Sequence, residues 1–370
     1  MIYLDNAATT RPSPAAVAAL TEAATDCFGN PSSLHQAGMA AHRLLRRARE
    51  QVAAALSTDP ARITFTSGGT EASNLALQGL ADRHKGRRIV TTDAEHPAVL
   101  RTLEAVAAAG DFELTLLSTR GGAPSAEEAA RVIDKDTALV AMMLVNNETG
   151  AVFPVREVGA LARAAGARFH VDAVQGFGKL PFSPEGLQCD TLAVSAHKVG
   201  GVKGAGALWT AAGVHLKPTL FGGGQEKGLR SGTEPMPAIA AFGAAAEDYR
   251  RRYSHGAMQA LYDRLEGELT ALGCVVHRPP VLCPVILSFS VPGMRAEPML
   301  SLLSARGICV SAGSACAAGK KSDSHVLKAF GLPPELLKGT LRASFSPETT
   351  EEDILALVDG VRACMTELAR

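Results

Sequence analysis

Short apolar, β-branched runs at residues 88–92, 114–118, 139–145, 168–174, 191–195 and 206–210 alternate with stretches whose apolar positions recur at helical spacing. That alternation predicts a mostly parallel α/β sheet with crossover helices. The run 139–145, Leu-Val-Ala-Met-Met-Leu-Val, carries no polar side chain on either face, as a strand covered by helices on both sides requires. It is expected in the middle of the sheet. The pattern changes after residues 221–235, FGGGQEKGLRSGTEP, whose glycines and final proline predict an ordered loop or linker. Beyond it, a helix at about 257–272, a strand at 285–291, a helix at about 297–306, a strand near 341–345 and a last helix suggest a smaller α+β unit. Thr349 followed three residues later by Glu352 predicts the start of that last helix, and Ile354, Val358, Val361 and Met365 share one face of it. No internal repeat or low-complexity segment interrupts the chain.

The 370 residues correspond to two or three domains at roughly 150 residues each. A hydrophobic content of 46% against 20% charged residues excludes a disordered chain or a small stapled scaffold. Thirty-seven basic and 37 acidic residues cancel, so no net field favours nucleic acid or an anionic membrane, and neither is expected as a direct partner. Seven cysteines, Cys27, Cys189, Cys274, Cys283, Cys309, Cys316 and Cys364, form an odd set without a CxxC pair, so neither a disulfide framework nor a bound metal is expected. The opening MIYLDNAATT has no basic stretch leading into an apolar core, and the longest apolar run, 138–145, falls far short of the roughly 20 residues of a membrane span. The cytoplasm is the expected compartment.

Chemistry concentrates at the predicted strand ends, where open α/β sheets bind ligands. SAHK places Ser195, His197 and Lys198 directly after an apolar strand, and a lysine there can serve as an amine nucleophile; taken alone it reads as a surface lysine at a strand end, and its context has to lift it. RFHVDAVQ ends a strand in Asp172 with Gln175 beyond. A buried carboxylate needs a cationic partner such as the pyridinium of pyridoxal phosphate (PLP), unless Asp172 caps a following helix. TSGGTEASN, with Gly69 and Thr70, has the form of a glycine turn opening a helix, whose free N–H groups make a phosphate cradle, although neither GxGxxG nor a P-loop spacing is present. His96 can stack on a flat cofactor and carry protons, or be an ordinary loop histidine. NNETG offers Asn147 as an amide donor, or a plain turn. In the second unit, Cys316 lies among small residues before two lysines, in a segment expected to be exposed and mobile, surroundings that favour thiolate. Cys274, Cys283, Cys309 and Cys364 read as buried thiols. Arg342, in LRASF, suits a bidentate carboxylate pair or a simple salt bridge.

These motifs, YLDNAATT, FGNPSSLH, FTSGGTEASN, EHPAVL, VNNETG, VDAVQ, SAHK, GGGQEKGLRSGT, SAGSAC and LRAS, occur in order over nearly the whole chain, which resembles the cysteine desulfurases of the NifS/IscS type in the class V branch of PLP-dependent enzymes. The resemblance implies the PLP-dependent transferase fold of aspartate aminotransferase type. A large domain, residues 16–239, would hold a mostly parallel seven-stranded sheet, and a small α+β domain would comprise residues 1–15 and 240–370 with the cysteine loop at about 311–325. It implies a homodimer with PLP held covalently by Lys198. Gly69, Thr70, Ser195 and His197 would bind the phosphate, and Thr233 the phosphate of the neighbouring subunit. Asp172 would face the ring nitrogen, Gln175 the phenolic oxygen and His96 the ring face, while Asn147 and Arg342 hold the substrate carboxylate. The implied reaction removes sulfur from L-cysteine, leaving L-alanine and a persulfide on Cys316. The sulfur would pass to an acceptor protein of iron–sulfur cluster assembly or tRNA thiolation. Other class V enzymes, a selenocysteine lyase or an aminotransferase, would share the PLP residues without needing the thiol. A non-catalytic sulfur carrier would need only the thiol.

Overall fold

Strand β5 (Thr137–Met143) is buried at all seven positions, as its unbroken apolar run demands. In this computed structural model, which describes residues 1–82, 85–313 and 324–368, it lies inside a seven-stranded sheet. The sheet also contains β2 (Ile63–Thr66), β3 (Arg88–Thr92), β4 (Glu113–Leu117), β6 (Arg168–Asp172), β7 (Thr191–Ser195) and β8 (Gly206–Thr210), in the order β2-β8-β7-β6-β5-β3-β4. Neighbours from β7 to β4 run parallel, and only β8 is antiparallel to both of its neighbours, β7 and β2. Six strands therefore end on one edge. The strand order reverses between β3 and β5, the kind of switch point where open α/β sheets bind ligands.

Beyond this sheet, β10 (Ile286–Ser290) pairs antiparallel with β9 (Val275–Val276) on one side and β12 (Thr340–Ser344) on the other. At the N-terminus, β1 (Ile2–Tyr3) pairs parallel with β11 (Ile308–Cys309), and Asp5 bridges to Ser344. The chain then crosses to the large sheet, where Thr10 donates both its N–H and its hydroxyl to the His197 carbonyl. One apolar core runs from Leu4 through the β5–β7 region to Phe289, Leu341 and Val361, so the two sheets share an interior.

The last helix, Glu351–Leu368, buries Ile354, Val358 and Val361 as its period predicts, but its capping box sits one residue later than expected. Thr350 Oγ1 accepts the Asp353 N–H at 3.2 Å and Asp353 Oδ2 accepts the Thr350 N–H at 3.0 Å, while the Thr349 hydroxyl is taken by the Ser346 N–H. The expected domain boundary at residue 240 falls inside the helix Met236–Arg252, which packs on the helices Pro14–Thr25 and Gln36–Ala55. Phe242 anchors it, edge-on to Phe65 and Phe177 at 6.5 and 6.1 Å between ring centroids.

Candidate active site

The shared strand edge opens into a cavity of about 270 Å3. Gly69, Thr70, His96, Asn147, Asp172, Gln175, Ser195, His197, Lys198 and Arg342 all line it, so ten of the twelve residues singled out in the sequence meet in one place. Two do not. Thr233 is exposed, in a separate depression with Phe28 and Asn30. Cys316 lies outside the described residues.

Lys198 ends the short 3-10 turn Ala196–Lys198 that follows β7. Its Nζ donates to the carbonyl oxygens of Ala7 and Ala8 at 2.6 and 2.7 Å. The N-terminal segment thus forms a wall of the cavity with its backbone. Burial, then the charges of Lys198, Lys203 and Lys179, push the neighbouring His197 down to about 4, so its ring is neutral, and its Nδ1 lies 3.2 Å from the Thr9 hydroxyl.

His96 caps the helix Pro97–Gly110: its Nδ1 accepts the Ala98 N–H at 3.1 Å, which places the proton of the neutral ring on Nε2. Burial lowers the pKa of His96, against the pull of Asp172. Asp172 shows the opposite effect, its pKa raised by burial and only partly offset by His96, the Val174 N–H and Lys198. The cap expected as an alternative reduces to one bond from the Val174 N–H to Oδ1 at 3.0 Å, with no helix following. Beside it, Glu95 is fully buried and pushed up to about 8 by burial, with backbone and hydroxyl donors acting against it. Its Oε1 accepts from Thr92 Oγ1 at 2.9 Å and Met143 N at 3.0 Å, and Oε2 is buried without a partner among the described residues.

At the opposite end, the helix Gly69–Leu80 begins at Gly68 with no side-chain cap, so the N–H groups of its first turn point onward unpaired by a side chain. A Cβ on Gly69 would come within 2.7 Å of Val174 Cγ2, and one on Gly206 within 2.6 Å of the Gly68 backbone. Glycine at both positions therefore lets this turn press against the segment after β6 and the start of β8. An uncapped helix N-terminus, a lysine amine and a desolvated carboxylate lining one slot fit PLP. The first takes a phosphate, the second an aldehyde carbon and the third a pyridinium nitrogen.

Arg342, on β12, is 2% exposed. Its Nη2 donates to Asp5 Oδ1 at 2.9 Å and its Nη1 to the Asn147 carbonyl at 2.8 Å, while Nε and Asn147 Oδ1 are buried without partners. Asp5 also accepts from Ser311 Oγ at 2.7 Å. Near them, Glu148 Oε2 accepts from Ser324 Oγ at 2.5 Å, and His325 Nε2 lies 3.0 Å from the Glu95 carbonyl. Burial raises the pKa of Glu148, with Ser324, Arg342 and His325 opposing.

Sequence reasoning missed Asp5, Glu95, Glu148, His325 and the carbonyls of Ala7 and Ala8. Glu95 and Glu148 adjoin the recognised His96 and Asn147, and carboxylates beside buried strand ends were the available signal. Of the cysteines read as buried, Cys274, Cys283 and Cys364 are so and Cys309 is half-buried; burial pushes both Cys274 and Cys283 up to about 11. Such thiols are poor nucleophiles. Among the described residues, no group of three His, Cys, Asp or Glu side chains is placed to hold a metal, and no helix is long and apolar enough to cross a membrane.

The family pattern described as aminotransferase class-V matches residues 2–357. A cysteine desulfurase of Trichormus azollae is 41% identical in an alignment covering 97% of this chain and 91% of the relative. Among solved structures, a NifS-like protein has a TM-score of 0.91 at 35% identity over 99% of both chains. The structure of SspA in complex with cysteine has a TM-score of 0.82 at 32% identity, covering 95% of this chain and 100% of that one.

Proposed function

The chain belongs to the class V aminotransferase family as a PLP-dependent cysteine desulfurase of the NifS/IscS type, and from that premise we propose how its residues divide the reaction. The observation that supports the division best is the meeting of Lys198, Asp172 and the uncapped N-terminus of the helix Gly69–Leu80 in one cavity. When bound, PLP supplies an electron sink that makes the substrate Cα–H acidic and weakens the bond from Cβ to sulfur.

Lys198 would hold the cofactor through Nζ, and its free amine, for which the Ala7 and Ala8 carbonyls are acceptors, would move the substrate Cα proton. Asp172 would supply the anion for the ring nitrogen and His96 would cover the ring face, its neutral state leaving Nε2–H as a donor. The first-turn N–H groups at Gly69 and Thr70, with Ser195 and His197, bind phosphate, and Gln175 binds the phenolic oxygen. Arg342 and Asn147 receive the substrate carboxylate.

Cys316 thiolate attacks the sulfur of L-cysteine. An S–S bond forms, the Cβ–S bond breaks, and the carbon fragment keeps the electron pair, is protonated and leaves as L-alanine. The persulfide on Cys316 then passes to an acceptor protein, an iron–sulfur scaffold or a tRNA-thiolation protein. We further propose a homodimer, because Thr233 stands apart from its own cavity and would be free to reach the phosphate of a second copy, and a cytoplasmic location for it. The two units of the chain divide after Arg252, where the helix Met236–Arg252 ends.

Alanine and sulfide measured together, with L-cysteine and a thiol reductant, test the reading. Equal yields of both are expected. Amino-group transfer to a keto acid without sulfide would mean an aminotransferase, turnover of selenocysteine alone would mean a selenocysteine lyase, and a colourless protein that PLP cannot reconstitute would leave only a sulfur carrier.

A further inference from the structure

Lys179 is an anomaly that the reaction scheme leaves unused. It is 4% exposed, and among the described residues it has no carboxylate partner. A buried ammonium without a counterion is costly, and lysines are almost never fully buried unless paired. Its hydrogen-bond acceptor among the described residues is Gln175 Oε1, at 3.1 Å, one turn back in the tight stretch that follows β6.

Gln175 is held from its other side as well. Its Nε2 donates to the Ala7 carbonyl at 2.8 Å, the same oxygen that accepts from Lys198 Nζ at 2.6 Å. The Ala7 carbonyl can only accept, so it must face Nε2, and Lys179, which keeps an N–H in either protonation state, then donates to Oε1; one orientation of the amide satisfies both. Oε1 faces Lys179, Nε2 faces Ala7, and the second hydrogen of Nε2 remains for an acceptor in the cavity that Gln175 lines. Without Lys179, Oε1 would be a buried acceptor with no donor, and the amide would turn to find one.

We infer that Lys179 is a positioning residue: it pins the Gln175 carbonyl oxygen so that the amide presents N–H, and not C=O, to the phenolic oxygen of the cofactor. This rests on the assignment of Gln175 to that oxygen. The chemistry agrees, since an anionic phenolate needs a donor and would be repelled by a carbonyl oxygen. The titratable groups that face Lys179 are Cys283 and His197, and burial lowers the lysine to about 8, with Cys283 opposing. Whether charged or neutral, the amine retains an N–H to donate, so the arrangement does not depend on its charge.

The test is the pH at which the visible absorbance of the holoenzyme titrates, compared among wild type, Lys179→Met, Gln175→Ala and the double variant. A donor on the phenolic oxygen favours the deprotonated chromophore, so losing it raises that midpoint. Gln175→Ala and Lys179→Met are each expected to raise it by about 0.5 to 1 unit, and the double variant no further than Gln175→Ala alone. Met keeps the stem and removes a buried charge, and Lys179→Gln, which restores an N–H donor, should shift the midpoint less. A Gln175→Ala shift with no Lys179→Met shift, or with shifts that add in the double variant, overturns the inference while leaving Gln175 on the phenolic oxygen. An unmoved midpoint in Gln175→Ala overturns both.

Discussion

Arg342 and Asp5, one on strand β12 and the other in the N-terminal segment, form an ion pair of 2.9 Å in which the guanidinium is almost wholly buried. Asp5 also accepts from Ser311, on the strand side that leads toward Cys316, so a single carboxylate ties the arginine to the base of the cysteine segment. Among the described residues, the guanidinium Nε and the Asn147 Oδ1 are both buried without hydrogen-bond partners. The orientation of the guanidinium is therefore set before any carboxylate arrives. Arg342→Lys removes the planar fork and keeps the charge. KM for L-cysteine should rise about 10- to 100-fold, the worth of one charge-assisted hydrogen bond, with the visible band intact. Steady-state kinetics check this, and an unchanged KM would remove Arg342 from substrate binding.

Gly69→Ala should weaken cofactor binding by about tenfold or more, since the new methyl meets Val174 at 2.7 Å and must push the helix turn from its seat. Equilibrium dialysis of PLP reads the affinity directly. Unaltered affinity would mean that the first turn of that helix does not hold the phosphate.

Glu95 gives a pH dependence with a definite sign. Its folded pKa is raised to about 8 by burial, so between the ordinary carboxyl value near 4.5 and about 8 the unfolded chain is ionised there while the folded one keeps its proton. The stability it contributes is full below 4.5 and is lost as pH rises toward 8, by up to about 1.4 kcal/mol per unit. Asp172 and Glu148 shift in the same direction, so Glu95→Gln should reduce the slope without abolishing it. Denaturant unfolding at pH 5 and pH 8 measures the difference, and an identical pH slope in the variant would refute a protonated Glu95.

Cys316→Ser should retain the visible band and its response to L-cysteine while alanine and sulfide fall to background. Undiminished sulfide release would assign the sulfur chemistry to another group. The buried thiols Cys274 and Cys283, raised to about 11, are unsuited to replace it.

Lys198, Asp172 and His96 were readable because each follows a β-branched run predicted as a strand of the parallel sheet, whose ends share one edge. The unbroken run in β5 placed that strand inside the sheet. The wall built by Ala7 and Ala8 was not readable: it consists of backbone carbonyls, and alanine carries no chemical signal for a bond to a residue so far along the chain. Lys179 reads in the sequence as an ordinary lysine, and only the turn after β6 buries it against Gln175. The capping box was displaced by one residue because two threonines adjoin and Asp353 serves as well as a glutamate. The helix Met236–Arg252 was hidden by its alanine-rich run, which has little hydrophobic contrast between its faces.

Borohydride reduction of the holoenzyme, followed by peptide mapping, tests the central assignment most directly, because it fixes the cofactor to whichever amine holds it. The site predicts a single pyridoxyl-modified peptide carrying Lys198, and loss of both the modification and the visible band in Lys198→Ala. A modification on Lys179 or any other lysine, or a visible band that survives in Lys198→Ala, would contradict it.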